Sequence, residues 1–218
     1  SYPWDIRSDP DKQPSVLCAI TLMERRRVLV TTASEIGYSR QAMALASGMR
    51  DAGEDAVFVS RDGRSLAKLF EAHTNSDCVL VVGSAGTLLR LRSGMEHKLH
   101  GGMGVLRLRG MLSGGGPDNL IQACGLRPGD TFVDATAGQL QDAIVAAHAV
   151  GPDGRVLGIE ASPLLHAVSS GRPAATGDRL VDEMLCRVEV LLGDHLAVFA
   201  AMPDASADVV YFDPMARA

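Results

Sequence analysis

The sequence predicts an α/β protein, in which an open and mostly parallel sheet follows a smaller α/β unit. Three observations lead there. Short aliphatic runs alternate with helix-length amphipathic segments, which is the pattern of strand–helix–strand crossovers. A strand, a tight turn and a helix stand together at 131–150, with one glycine and two acids in and around the turn. Acids then recur where three further predicted strands end.

Composition sets the bounds. A chain of 218 residues that is 46% hydrophobic and 4% aromatic can bury a sizeable core, and that core must be aliphatic. A net charge of −5 argues against nucleic-acid binding over the whole surface and leaves room for a local basic patch. Cys18, Cys78, Cys124 and Cys186 have no C-x-x-C spacing, which suits reduced thiols in a cytoplasmic protein. No apolar run reaches the ~18 residues of a membrane span, and Val16 to Leu22 lacks the basic flank of a signal peptide. The expectation is a soluble, intracellular protein.

Residues 1–22 carry Pro3, Pro10 and Pro14 without a period, and Met23 resembles a natural start, so 1–22 is expected to be an extension outside the fold. Residues 23–86 form the small unit. Val28 to Thr31 is its first strand, and Ser39 to Ala52 a helix with Ala42, Leu45, Ala46 and Met49 on one face, closed by Gly53. Ala56 to Val59 is the next strand, Ser65 to Ala72 a short helix with Ser65 as N-cap, and Cys78 to Val82 a third strand. Gly37 and Ser39 offer at most a weak anion-binding turn.

Residues 87–129 differ in character. Leu89-Arg90-Leu91-Arg92 and Leu106-Arg107-Leu108-Arg109 alternate around a centre of glycine and histidine, which predicts a β-hairpin or a pair of edge strands. Arg90, Arg92, Lys98, Arg107 and Arg109 face only Glu96, whereas residues 130–218 carry thirteen acids against five bases. Such a segment suits a phosphate-bearing partner, RNA above all, and would look the same as a solvated face. His97 and His100 read as solvated or structural histidines, since no further ligands stand near them, and no metal is expected. Ser113-Gly114-Gly115-Gly116-Pro117-Asp118 precedes a short helix from Asn119 to Cys124.

Residues 130–218 hold the main unit. Thr131 to Val133 is a buried strand ending at Asp134, the turn passes Gly138, and the helix runs from Gln141 to Val150 with Asp142 in its first turn. Ligands of open parallel sheets bind outside the carboxyl ends of the strands, which makes this turn a ligand site by position. A pyrophosphate site needs G-x-G-x-x-G. One glycine and two acids would repel it and suit a ligand with an amino group or a sulfonium, which speaks against a dinucleotide oxidoreductase. Arg155 to Glu160 is the second strand, and an acid at its end can accept both hydroxyls of a ribose. Ala161-Ser162-Pro163 opens the next helix, with Ser162 as N-cap and Pro163 at its first position. A Gly- and Pro-rich loop at 172–178, a helix from Val181 to Arg187 and a strand from Val188 to Leu192 follow, ending in Gly193-Asp194-His195. Asp208 to Phe212 is the fourth strand and leads into Asp213-Pro214-Met215.

Together, D-x-T-x-G-x-x-x-D-A at Asp134 to Ala143 and the D-P-M at Asp213 to Met215 resemble motifs of the class I S-adenosylmethionine (SAM) dependent methyltransferases. The nearer likeness is to the branch of small-subunit rRNA guanine-N2 methyltransferases (RsmJ type) and their uncharacterised relatives. It covers roughly Arg109 to Met215 well and the N-terminal part loosely. Where that branch reads T-A-G-L-G-R-D, this chain has Thr136-Ala137-Gly138-Gln139-Leu140-Gln141-Asp142. The resemblance implies a Rossmann-like sheet with SAM held by Asp134, Thr136, Gly138, Gln141, Asp142, Glu160 and Ala161. It places Asp194 and His195 at the adenine, although Asp194 reads equally as a helix N-cap. It makes Asp213 and Pro214 the group that positions a planar amine, and the glycine-rich run before Asp118 a cover over the cofactor, or else a plain hinge. The implied substrate is rRNA or the small ribosomal subunit, met by the basic segment. A class I sheet has seven strands and only four follow Thr131 here, so the C-terminal strands are expected to be missing. The oligomeric state is not legible. A SAM-binding but inactive RNA-binding or scaffold protein, or a small-molecule methyltransferase, would share these motifs.

Overall fold

The computed structural model describes residues 27–33, 37–100, 102–171 and 176–213. The expected extension at 1–22, Cys18 and Pro214 lie outside them.

Two sheets form. The first has five strands: β1 (Val28–Thr32), β2 (Ala56–Phe58), β3 (Cys78–Gly83), β4 (Gly86–Leu91) and β5 (Glu96–Lys98), in the spatial order β2-β1-β3-β4-β5. β1, β2 and β3 run parallel, joined through α1 (Ser39–Asp51) and α2 (Leu66–Ala72), while β4 and β5 return antiparallel. Burial follows the two-residue period of a strand. Val28, Val30, Leu80 and Val82 face α1, and Leu29, Val79 and Val81 face Leu69 and Phe70 of α2. Ser65 caps α2, its hydroxyl accepting from the Lys68 N–H as the sequence predicts.

The segment from Thr87 to Arg109 corrects one expectation. β4 and β5 form a hairpin, but Leu106-Arg107-Leu108-Arg109 belongs to a helix, α3 (Gly102–Gly110). Leu108 is its fully buried residue, and Gly104, one turn earlier, lies against the next unit. The hairpin extends the first sheet. Beyond α3 come a π-type turn (Met111–Gly115), with Gly114 left-handed, and α4 (Asn119–Cys124), capped by Asp118 and closed by left-handed Gly125.

The second sheet holds β6 (Thr131–Asp134), β7 (Arg155–Glu160), β8 (Val188–Leu192) and β9 (Val209–Tyr211), all parallel, in the order β8-β7-β6-β9. The chain moves outward from β6 to β7 to β8 and then returns to the other side of β6, which is the Rossmann-like arrangement. α5 (Gln141–Val150) and α7 (Arg179–Cys186) pack with Phe132, Val156 and Val188 on one face, and α8 (His195–Ala201) covers Val133, Leu157 and Ile159 on the other. α5 is buried nearly all round, including Ile144, Val145 and Ala147, because sheet, α3, α4 and α7 surround it.

α6 (Pro163–Ser169) joins the halves. It follows β7, is capped by Ser162 with Pro163 in its first turn, and presses Leu164, Leu165, Ala167 and Val168 onto the α1 face of the first sheet. The two units thus share a core, and the helix that starts next to Glu160 is its seam. No helix among the described residues is long and apolar enough to cross a membrane.

Candidate functional site

The order of the second sheet reverses at β6, so a crevice opens beyond the carboxyl ends of β6, β7 and β9. The sequence-predicted acids Asp134, Glu160 and Asp213 stand at those ends. The turn between β6 and α5 is held by backbone bonds from both sides. Ala135 donates to the Tyr211 carbonyl at 2.9 Å and Ala137 to the Ile159 carbonyl at 3.0 Å. Gly158 makes the second anchorage feasible, because a Cβ there would lie 2.8 Å from the Ala137 methyl.

Thr136 links two of the acids. Its N–H donates to Asp134 Oδ1 at 3.0 Å, and its hydroxyl oxygen accepts from the Asp213 N–H, also at 3.0 Å. Asp134 is only 2% exposed. Burial pushes its carboxyl up to about 6, against the hydrogen bonds from Thr136, and the nearby charges of Asp142 and Asp213 push the same way. Asp213 is exposed, and its Oδ2 accepts from the Tyr211 hydroxyl at 3.3 Å. That phenol is pushed up to about 12 by burial and by the charges of Asp142, Asp213 and Asp134. Three carboxylates therefore share one field here.

Glu160 closes the opposite wall. Oε2 accepts from Gly138 N–H at 3.0 Å and Oε1 from Ser162 N–H at 2.7 Å. Burial raises its pKa, opposed by those amides and by the charge of His166 on α6. The two oxygens have four lone pairs between them, and with the Ala161 N–H also bearing on the carboxylate it retains capacity for a further donor. Gly138 is left-handed, at φ 46°. Leu140, at the position where a second glycine would be at ease, is left-handed too, at φ 59°, with its side chain fully buried in the α5 core. Such a backbone costs a side-chain-bearing residue about 1–2 kcal/mol. Burial of a leucine side chain contributes about 1.5–3 kcal/mol and holds the turn in place.

The remaining predicted positions divide. Gln141 and Asp142 open α5 at the crevice, and Ala161 lies exposed beyond Glu160. Asp194 takes its alternative role: its Oδ1 accepts from Leu196 and Ala197 N–H at 3.0 and 3.3 Å and caps α8. His195 lies edge-on to the exposed Phe212 ring, centroids 5.0 Å apart.

The five basic residues of the expected RNA-facing segment are engaged in different ways. Arg90 pairs with Glu96 across the hairpin. Arg92 donates to the carbonyls of Phe70, His73 and Ser76 and lies 4.9 Å over the Phe70 ring, so it holds the first unit together. Arg107 turns away from solvent to Asp118 and Asp142. Lys98 is exposed at the end of β5, and Arg109, 66% exposed, reaches Asp178. Arg92, Arg107 and Arg109 thus make bonds that hold elements together. His97 is buried and its pKa is lowered by that burial, and the His100 ring accepts from Gly102 N–H at 3.0 Å, so both are structural. Among the described residues no cluster of His, Cys, Asp or Glu is arranged to hold a metal ion.

Sequence reasoning missed Tyr211, the bond from Ser162 N–H to Glu160 and the destination of Arg107. A tyrosine two residues before Asp213 was a readable signal for the first, and none existed for the last.

The carboxylate set fits a ligand with a cationic end and a ribose, because Asp134, Asp142 and Asp213 supply negative charge at one wall and Glu160 free acceptors at the other. Comparison with known proteins agrees with that chemistry. Residues 67–217 match the model of the family SAM_MT, described as "Putative SAM-dependent methyltransferase". The chain is 37% identical over 139 residues to uncharacterized protein YpiP of Bacillus subtilis (strain 168), covering 63% of this chain and 54% of that protein. It is 32% identical over 115 residues to ribosomal RNA small subunit methyltransferase J of Pseudomonas syringae pv. syringae (strain B728a), covering 51% and 42%. To the protein of the same name from Laribacter hongkongensis (strain HLHK9) it is 32% identical over 158 residues, covering 67% and 55%. The chain thus spans about half the length of the curated relatives it matches.

Proposed function

We propose, from the premise that this chain belongs to a family of SAM-dependent methyltransferases, that it methylates an exocyclic amine of guanine in small-subunit rRNA. The observation that supports this reading is the pair of hydrogen bonds at Thr136, whose N–H donates to Asp134 and whose hydroxyl oxygen accepts from Asp213. The pair fixes the cofactor-side acid Asp134 and the substrate-side acid Asp213 to one residue at the switch point of the sheet.

When bound, SAM supplies an electrophilic methyl group on a sulfonium. Asp134 offers negative charge to its amino-acid end, with Asp142 beside it held by Arg107, the turn at Thr136 to Gly138 borders it, and Glu160 accepts from its ribose hydroxyls. Gln141 and Ala161 line the approach, and His195 and Asp194 bound the adenine side. Asp213 accepts an N–H of the target amine, and Tyr211 holds that carboxylate in place. One N–H so engaged aims the nitrogen lone pair, which is catalysis by positioning and electrostatics. Pro214, the other residue of that expected group, lies outside the described residues.

RNA as substrate is supported by the relatives named for ribosomal RNA methylation. On this chain Lys98 and Arg109 are exposed cations of the basic segment and Arg90 a partly exposed one, and a cytoplasmic location follows from the substrate. The test is calorimetric titration of SAM into the protein and into Glu160→Gln, followed by transfer of labelled methyl to small-subunit RNA. About tenfold weaker binding by the variant, 1.4 kcal/mol, and label in RNA are expected. Binding equal in both proteins would remove Glu160 from the cofactor site, and label absent from RNA would remove the substrate.

A further inference from the structure

Arg107 was expected to meet RNA and instead faces inward. From α3 its Nε and Nη2 donate to the two oxygens of Asp118 at 2.9 and 2.7 Å, and its Nη1 donates to Asp142 Oδ1 at 2.6 Å. One guanidinium fork thereby joins the cap of α4 to the first turn of α5. Asp118 is itself fixed, because Oδ1 accepts from Leu120 N–H at 2.9 Å. The approach of α3 to α5 depends on Gly104, where a Cβ would lie 2.7 Å from the Gln141 carbonyl oxygen. Arg107 is thus anchored on one side and grips a carboxylate of the site on the other.

We propose that Arg107 is a positioning residue of the site: it pins and neutralises Asp142, so that Asp134 is the anion that meets the cationic end of the cofactor. The inference rests on the SAM reading for the identity of that ligand, but its electrostatic content belongs to the protein alone. The charged and titratable groups around Asp134 come from every neighbouring element. They are Asp142 on α5, Asp213 and Tyr211 from β9 and its end, and Glu160 from β7, whose oxygens are turned to Gly138 and Ser162. Arg107 is the cation paired to this set, and α4 contributes Asp118 behind it. A carboxylate beside uncompensated carboxylates resists ionisation. Without Arg107, Asp142 would gain its full effect on Asp134 and lose its fixed position. Lysine would keep the charge but, with a single ammonium, could not serve three oxygens across two helices.

The experiment follows the side-chain carboxyl of Asp134 by carbon NMR through a pH titration of the ligand-free protein, with SAM titrations on the same samples. Arg107→Gln should raise the Asp134 midpoint by about half a unit or more, and Asp142→Asn should lower it. The double variant should match Asp142→Asn alone, since the arginine acts through that carboxylate. Arg107→Lys should retain most of the wild-type midpoint, which a purely structural role would not produce. SAM affinity at neutral pH should fall about fivefold in Arg107→Gln, about 1 kcal/mol, and recover in part in Arg107→Lys. If Arg107→Gln does not fold, Asp118→Asn, which unfastens the arginine from α4, should move the midpoint the same way by a smaller amount. A midpoint unmoved in every folded variant overturns the inference and leaves the SAM reading standing. A midpoint that moves as described, in a protein that takes no SAM, upholds the charge coupling and overturns the SAM reading.

Discussion

The two sheets of this molecule follow one construction and differ in what stands at the ends of their strands. Both place three successive parallel strands beside one another, send helices to both faces, and reverse direction once. In the first, β1, β2 and β3 end in Thr32, Phe58 and Gly83. In the second, β6 and β7 end in Asp134 and Glu160, and Asp213 follows β9. The topology is alike in both, and among the described residues only the second sheet sets carboxylates at the ends of its strands. Function here belongs to the side chains set on the fold and not to the fold itself.

The sharpest way to break that comparison is to empty one strand end. Asp213→Ala should reduce methyl transfer by about two to three orders of magnitude, some 3–4 kcal/mol of barrier, while SAM affinity stays within about twofold. Equal loss of binding would show that Asp213 serves the cofactor and would erase its separate role. The next effect is on stability and carries a definite sign. Asp134 holds its proton up to about 6 in the folded protein, against 3.8 for the ordinary carboxyl. The native state therefore binds more protons between those values, and stability falls as pH rises through that window, by about 3 kcal/mol for this group. Urea unfolding of the wild type and Asp134→Asn at pH 4 and pH 7 should show the asparagine variant free of that decline. The smallest effect sharpens the other side of the comparison. Arg92→Ala in the first unit should cost about 2 kcal/mol of stability by unfastening three carbonyls and leave SAM affinity within about twofold, because that arginine is bonded within the first unit, away from the strand ends of the second sheet.

Much of this was written locally in the sequence. The parallel strands of both units, the caps at Ser65 and Ser162, and the acids at the strand ends depend on short-range pattern, which a row of residues preserves. α3 was not legible. Leu106-Arg107-Leu108-Arg109 satisfies a two-residue period over four positions, and a helix of the same letters differs only in how it packs. Its three glycines also argue against a helix in isolation, yet Gly104 is there because the Gln141 backbone leaves no space for a side chain. The destination of Arg107 was hidden for a related reason. Its partners lie 11 and 35 residues away, and nothing in composition distinguishes a cation that meets phosphate from one that turns inward to carboxylates. Asp194 was open to two uses: its Oδ1 caps α8 through the amides of Leu196 and Ala197, and a cap of that kind does not decide the adenine contact.

The left-handed Leu140 bears on rates. Its backbone is set in a conformation that leucine disfavours, and its side chain, sealed in the core beneath α5, keeps it there before any ligand arrives. To reshape the turn the protein would have to expose that leucine, so association proceeds onto a surface already in its final form. Encounter should then be little altered by changes to the surrounding acids, and their influence should fall on residence time, which stopped-flow displacement of a bound ligand would measure directly.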